Sequence, residues 1–99
     1  MRRAARTDEN HTAIVQALLD AGCSVQSLAA VGCGCPDLVV GFAGVNVLLE
    51  IKREKLSGGV KPGTWEAQSK FREFWKGQQC IVRSPEEAIE AVRSAIEAR

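Results

Sequence analysis

The apolar positions along this chain change period several times, and each change marks an element. Ile14, Val15, Leu18 and Ala21 recur at helical spacing, with Thr7 or Asp8 as a cap and Gly22 as a stop, so the pattern predicts a helix from about Asp8 to Ala21. Cys23 to Leu28 reads as a first strand at or near a sheet edge. Leu38 to Phe42 and Val45 to Ile51 are rich in β-branched and aliphatic residues, and Gly41 to Asn46 supplies turn chemistry between them, which predicts a β-hairpin. Thr64 caps a second helix running to about Lys76, in which Gln68, Phe71 and Trp75 share one face. Gln79 to Arg83 is the last strand. Ser84, Pro85 and Glu87 then supply the cap, first-turn proline and capping-box acid of a final helix with Ala88, Val92, Ala95 and Ile96 as its buried stripe. The expected fold class is α/β, in the order α-β-β-β-α-β-α, with a mixed sheet flanked by helices on both faces.

Three charges interrupt the apolar hairpin: Asp37, Glu50 and Lys52. With the turn centred between Ala43 and Gly44, Asp37 lies directly opposite Glu50, where cross-strand Cβ atoms are ~4.5–5.5 Å apart. Strand alternation puts Lys52 on the same face as Glu50, with Leu49 and Ile51 on the other. Two carboxylates this close repel unless a cation compensates. A hard divalent ion suits them, because Mg²⁺ takes one or two carboxylates and fills its remaining positions with waters and phosphate oxygens. An ammonium beside such a site can orient the attacking water or meet charge growing on a phosphate. The chemistry suggested is metal-assisted phosphodiester hydrolysis.

Pro36-Asp37, twelve further residues, then Glu50-Ile51-Lys52 resembles the PD-(D/E)XK nuclease signature. The flanks Gly34-Cys35-Pro36-Asp37-Leu38 and Leu49-Glu50-Ile51-Lys52, Gln68 on the following helix, and Ile81-Val82-Arg83-Ser84 are most similar to the small stand-alone VRR-NUC proteins of phages and bacteria. Archaeal Holliday junction resolvases share the same ground plan, and the resemblance spans roughly Thr7 to Val92. It implies a restriction-endonuclease-like core and a metal-dependent, structure-specific DNA endonuclease acting on four-way junctions or other branched DNA as a homodimer. The second helix or the hairpin edge is the expected dimer contact. It also implies Asp37, Glu50, Lys52 and Gln68 as catalytic residues, and Mg²⁺ or Mn²⁺ held by Asp37, Glu50 and the backbone carbonyl of Ile51, with no small-molecule cofactor. Gln68 on its helix alone reads as a buried amide bonded to backbone; the resemblance makes it the residue that holds a metal-bound water or Lys52 in place. Resolvase-type members carry a Glu near the start of the first helix. Here His11 stands at that position, a departure, with Asn10 and Glu9 as neighbouring candidates.

Composition adjusts this picture only in places. The chain has 99 residues, enough for a single domain over 1–99, with 1–6 as a flexible basic arm. No apolar run follows Arg2, Arg3 and Arg6, so the start does not read as a secretory signal, and no stretch approaches a membrane span. A cytoplasmic, bacterial or phage-encoded protein is the expectation. Net charge is only +1, but Lys52, Arg53, Lys55, Lys61, Lys70 and Arg72 gather near Glu50, while acids concentrate in the last helix. Of these, Arg53, Lys55, Lys61 and Lys70 are the candidate DNA contacts. Lys55 and Arg72, taken singly, read as solvated surface charges, but the clustering near Glu50 tips the balance toward phosphate contact. Arg53 to Gly63, glycine-rich and broken by proline, reads as a mobile loop beside the site. Trp65, in the first turn of the second helix, suits packing on that loop better than stacking on a base.

Gly32 and Gly34 either make an ordinary turn or let a phosphate or metal approach the backbone closely. The four cysteines have neither zinc-ligand spacing nor an export signal that would favour disulfides, so reduced thiols are expected, with Cys23 and Cys80 as small buried residues. Two alternatives stay open: a catalytically silent DNA-binding or assembly module, and a zinc-binding adaptor. Paired carboxylates in an apolar hairpin favour the nuclease, and metal analysis tests the adaptor.

Overall fold

The computed structural model describes residues 9–52 and 64–99. Its elements are α1 (Glu9–Asp20), β1 (Ser24–Ser27), β2 (Leu38–Phe42), β3 (Val45–Ile51), α2 (Thr64–Phe74), β4 (Gln79–Val82) and α3 (Pro85–Ala98), the order the sequence predicts. The four strands form one sheet in the order β1-β2-β3-β4. β1, β2 and β3 pair antiparallel, and β4 joins β3 in parallel, so the sheet is mixed.

The hairpin register follows from its turn. Ala43 and Gly44 both take positive φ, at 54° and 81°, the requirement for a two-residue turn whose twist matches its strands. Phe42 therefore pairs with Val45 and Leu38 with Leu49. Continuing that register sets Asp37 against Glu50.

One sheet face carries Leu38, Val40, Val47, Leu49 and Val82, all buried, and α1 and α3 pack together over it. Ile14 and Leu18 of α1 are fully buried there, whereas Ala21, expected on the same face, is exposed. α1 ends at Gly22, φ 93°, with Gly22 N donating to Leu19 O and Cys23 N to Leu18 O, the paired bonds of a Schellman stop. In α3 the buried stripe is Ala88, Ala91, Val92 and Ala95, while Ile96 is only half-buried. The Ser84 hydroxyl accepts from Glu87 N, and Glu87 Oε1 accepts from Arg83 N, so the acid of the capping box satisfies the residue before the cap.

Among the described residues, α2 is the element that meets the opposite face, through Gln68 on Glu50 and Lys52. This helix stops at Phe74, two residues short of the expected end, and none of its residues 66–74 is fully buried. Phe71 stacks on Trp75 at a centroid distance of 5.3 Å, yet Phe74 is 60% and Trp75 41% exposed, so the aromatic side of α2 borders solvent instead of a core. Cys23 is buried as expected; Cys80 is exposed, because β4 is the sheet edge and the Cys80 side of it lies beside an open groove next to α3. All four cysteines are free. Among the described residues no helix is long and apolar enough to cross a membrane.

Candidate active site

Asp37, Glu50 and Lys52 point to the α2 side of the sheet because it is the face opposite Leu38 and Leu49. Asp37 Oδ2 accepts from Ile51 N at 2.7 Å, which binds the start of β2 to the end of β3 and fixes the carboxylate beside its partner strand. Glu50 is the one buried charged residue among those described, 7% exposed. Gln68 Nε2 donates to Glu50 Oε2 at 2.8 Å, and Gln68 Oε1 accepts from Lys52 Nζ at 2.5 Å. Lys52 Nζ also stands 3.6 Å from Glu50 Oε2. One amide therefore grips both members of the ion pair, using its donor on the carboxylate and its acceptor on the ammonium. This is the side-chain role that the resemblance implies for Gln68, and not the backbone-bonded amide that the helix alone suggests.

Gly34 lets α2 come close enough for this. A Cβ at Gly34 would collide with the carbonyl oxygen of Ala67, and its φ of 80° is left-handed as well. The close approach its missing side chain allows is that of the helix backbone preceding Gln68.

Glu50 is held above the ordinary carboxylate value near 4.5, at about 7, first by burial and then by the charge of Asp37; Lys52 and Arg72 pull the other way without cancelling these. Cys35, half-buried nearby, has its thiol raised by burial and by the two carboxylates. Among the described residues no three His, Cys, Asp or Glu side chains converge on a metal position. What the site offers a cation is two carboxylates, each with one oxygen (Asp37 Oδ1, Glu50 Oε1) that accepts no hydrogen bond from a described residue. That donor set fits a hard ion that keeps several waters, and it does not fit zinc.

The other site expectations divide. Asn10 Nδ2 donates to Arg83 O at 3.1 Å and to Lys52 O at 3.4 Å, so its amide nitrogen ties the head of α1 to the ends of β3 and β4. His11, half-buried, bonds to none of Asp37, Glu50 and Lys52. Glu9 is exposed. Lys70 is exposed, and two residues along a helix from Gln68 is roughly 200° around it, so Lys70 lies on the outer side of α2. Arg53, Lys55, Lys61, the basic arm 1–6, the caps Thr7 and Asp8, the loop 53–63 and the side chains of Thr64 and Trp65 lie outside the described residues.

Arg72, taken singly a surface charge but in sequence one of the cations gathered near Glu50, lines a cavity with Glu50 and Gln68 and acts electrostatically on Glu50. The signal for it was its spacing of four from Gln68. Comparison of the chain with protein-family models, with curated proteins and with solved structures finds no match.

Proposed function

We propose that this protein is a metal-dependent, structure-specific DNA endonuclease of the VRR-NUC type, built on a restriction-endonuclease-like core and cutting four-way junctions or other branched DNA as a homodimer. The observation that carries the reading is the buried Glu50 carboxylate, set beside Asp37 and joined to Lys52 through Gln68. Burying a carboxylate next to another is costly for a fold and gives a purely structural or silent binding module nothing in return.

Asp37, Glu50 and the Ile51 carbonyl are the groups that would hold Mg²⁺ or Mn²⁺. Bound there, the cation supplies a water of lowered pKa and a counter-charge for the phosphate under attack. Lys52 is steered by the Gln68 oxygen, so its ammonium is held in one direction, where it can orient the attacking water or meet charge on the phosphorane. Gln68 keeps Glu50 and Lys52 from collapsing into a tighter ion pair, since its amide occupies the carboxylate oxygen that Lys52 approaches. So small a nuclease has few elements for reading bases, which favours recognition of DNA shape. Symmetric cutting of a junction needs two sites related by a two-fold axis, and the exposed Phe74 and Trp75 on α2 support that helix as the self-contact.

The test is cleavage of a labelled panel (four-way junction, flap, nicked duplex, single strand) with Mg²⁺ and with Mn²⁺, using wild type and Asp37→Asn. Branched substrates should be cut by wild type only, with the variant still binding them. No cleavage of any substrate, or cleavage by Asp37→Asn undiminished across a metal titration, overturns the proposal.

A further inference from the structure

A cavity of about 210 Å³ adjoins Glu50, with Pro36, Phe71 and Ile81 as its apolar wall and Glu50, Gln68 and Arg72 as its polar one. Arg72 reaches it because it follows Gln68 by four residues and so stands one turn along the same side of α2. Its backbone is pinned: Gln79 Nε2 donates to Arg72 O at 3.1 Å and to Trp75 O at 3.2 Å, which moors this turn of the helix to β4. Arg72 is half-buried, and its guanidinium donates to no described residue. The acid it acts on, Glu50, already gives its Oε2 to Gln68 and Lys52. A guanidinium beside a cavity, with none of its donors engaged by a described residue, is open to a ligand that supplies the acceptor. Its planar fork matches two oxygens of one tetrahedral anion, which a lysine cannot do.

We propose that Arg72 and this cavity form a phosphate subsite, receiving a backbone phosphate of the nucleic acid next to the one that is cut. The assignment of the anion to a nucleic acid rests on the nuclease reading; the receptor itself rests on the cavity, the pinned helix turn and the unengaged fork. Arg72 is then a binding residue that sets how the strand lies against Asp37, Glu50 and Lys52.

Two measurements test it. In an Asp37→Asn background, affinity for a fluorescein-labelled four-way junction is followed between about 50 and 200 mM salt. Adding Arg72→Ala should weaken binding roughly 10-fold and reduce the salt slope by about 1, and Arg72→Lys should restore the slope while recovering only part of the affinity. Independently of DNA, inorganic phosphate should shift the Arg72 Nε–Hε resonance in wild type, and sulfate should do the same more weakly or equally, whereas chloride at matched ionic strength should not. An unchanged salt slope in Arg72→Ala overturns the proposal, as does loss of affinity that Arg72→Lys leaves at the alanine slope. Should wild type bind no junction, the phosphate titration decides: a shifted Arg72 resonance upholds the receptor while the nuclease reading fails, and an unmoved one sinks both. Cleavage that proceeds with unchanged KM in Arg72→Ala sinks the subsite and leaves the nuclease standing.

Discussion

Replacing Glu50 with glutamine should stabilise this fold at high pH and not at low pH. The wild-type carboxyl is shifted from its ordinary value near 4.5 to about 7 in the folded chain, chiefly by burial and then by Asp37. Below 4.5 the group is protonated in both folded and unfolded chains and contributes no difference. As pH rises toward 7 the unfolded chain loses this proton first, so the folded chain binds more protons and stability falls with pH. Above 7 both have lost it, and the folded chain carries the whole cost of an ionised buried acid. At 1.36 kcal/mol per unit the full cost is about 3 kcal/mol, most of it developing between about pH 5 and pH 8.

Glu50→Gln removes the titration but keeps the shape and an oxygen for the Gln68 amide. The assay is urea denaturation of both proteins in EDTA at a series of pH values, taking the difference so that other titrating groups cancel. The variant should gain about 2 to 3 kcal/mol relative to wild type between about pH 5 and pH 8. Chelation matters because a divalent cation at the pair favours the ionised form and would flatten the wild-type curve. Parallel curves, or a variant that loses ground as pH rises, would refute the account of Glu50 as a carboxylate buried beside another.

Gly34→Ala should force α2 off its seat, since the new Cβ meets the Ala67 carbonyl and a left-handed alanine costs about 1–2 kcal/mol. Cleavage should fall by about 100-fold through misplacement of Gln68, with the sheet's far-UV circular dichroism retained. Gln68→Ala should lower turnover by about 10–100-fold, less than Asp37→Asn, because it orients Lys52 and Glu50; a loss equal to that of Asp37→Asn would count against a positioning role. Ser84→Ala deletes the α3 cap and should cost about 1 kcal/mol in denaturation with kcat/KM unchanged; a change in kcat/KM would tie α3 to the site.

The hairpin was legible because its constraints are local. Ala43-Gly44 can form only a tight turn, alternation then fixes which side chains share a face, and Asp37, Glu50 and Lys52 follow as arithmetic. The α3 start was legible for the same reason, Ser84, Pro85 and Glu87 each suiting one position of a helix head. Where the sequence misled, the deciding contact was between distant segments. Gly34 read either as part of an ordinary turn or as room for a ligand, and what occupies the room is the backbone of Ala67. Cys80 looked like core, but strand order places β4 at the edge, which no local pattern reveals. Arg72, taken singly, carries a charge that reads as solvated until α2 is laid over Glu50. Trp75 shows the converse, an apolar residue of the stripe with Gln68 and Phe71 that lies in the open just past the end of α2.

β3 alternates two duties residue by residue: Val47 and Leu49 hold the core, and Glu50 between Leu49 and Ile51 carries the charge of the site. The strand is bonded on both sides, to β2 and to β4, so neither duty can drift without moving the other. Variation at Leu38, Val47 or Leu49 that changes side-chain volume while keeping the chain folded will still tilt the mount on which the carboxylate sits. In a library randomised at those core positions, the fraction of clones that fold should therefore exceed the fraction that cut, and the surviving sequences should be narrower in volume than stability alone would require. The interior of this protein is, in that sense, under selection for aim as well as for packing.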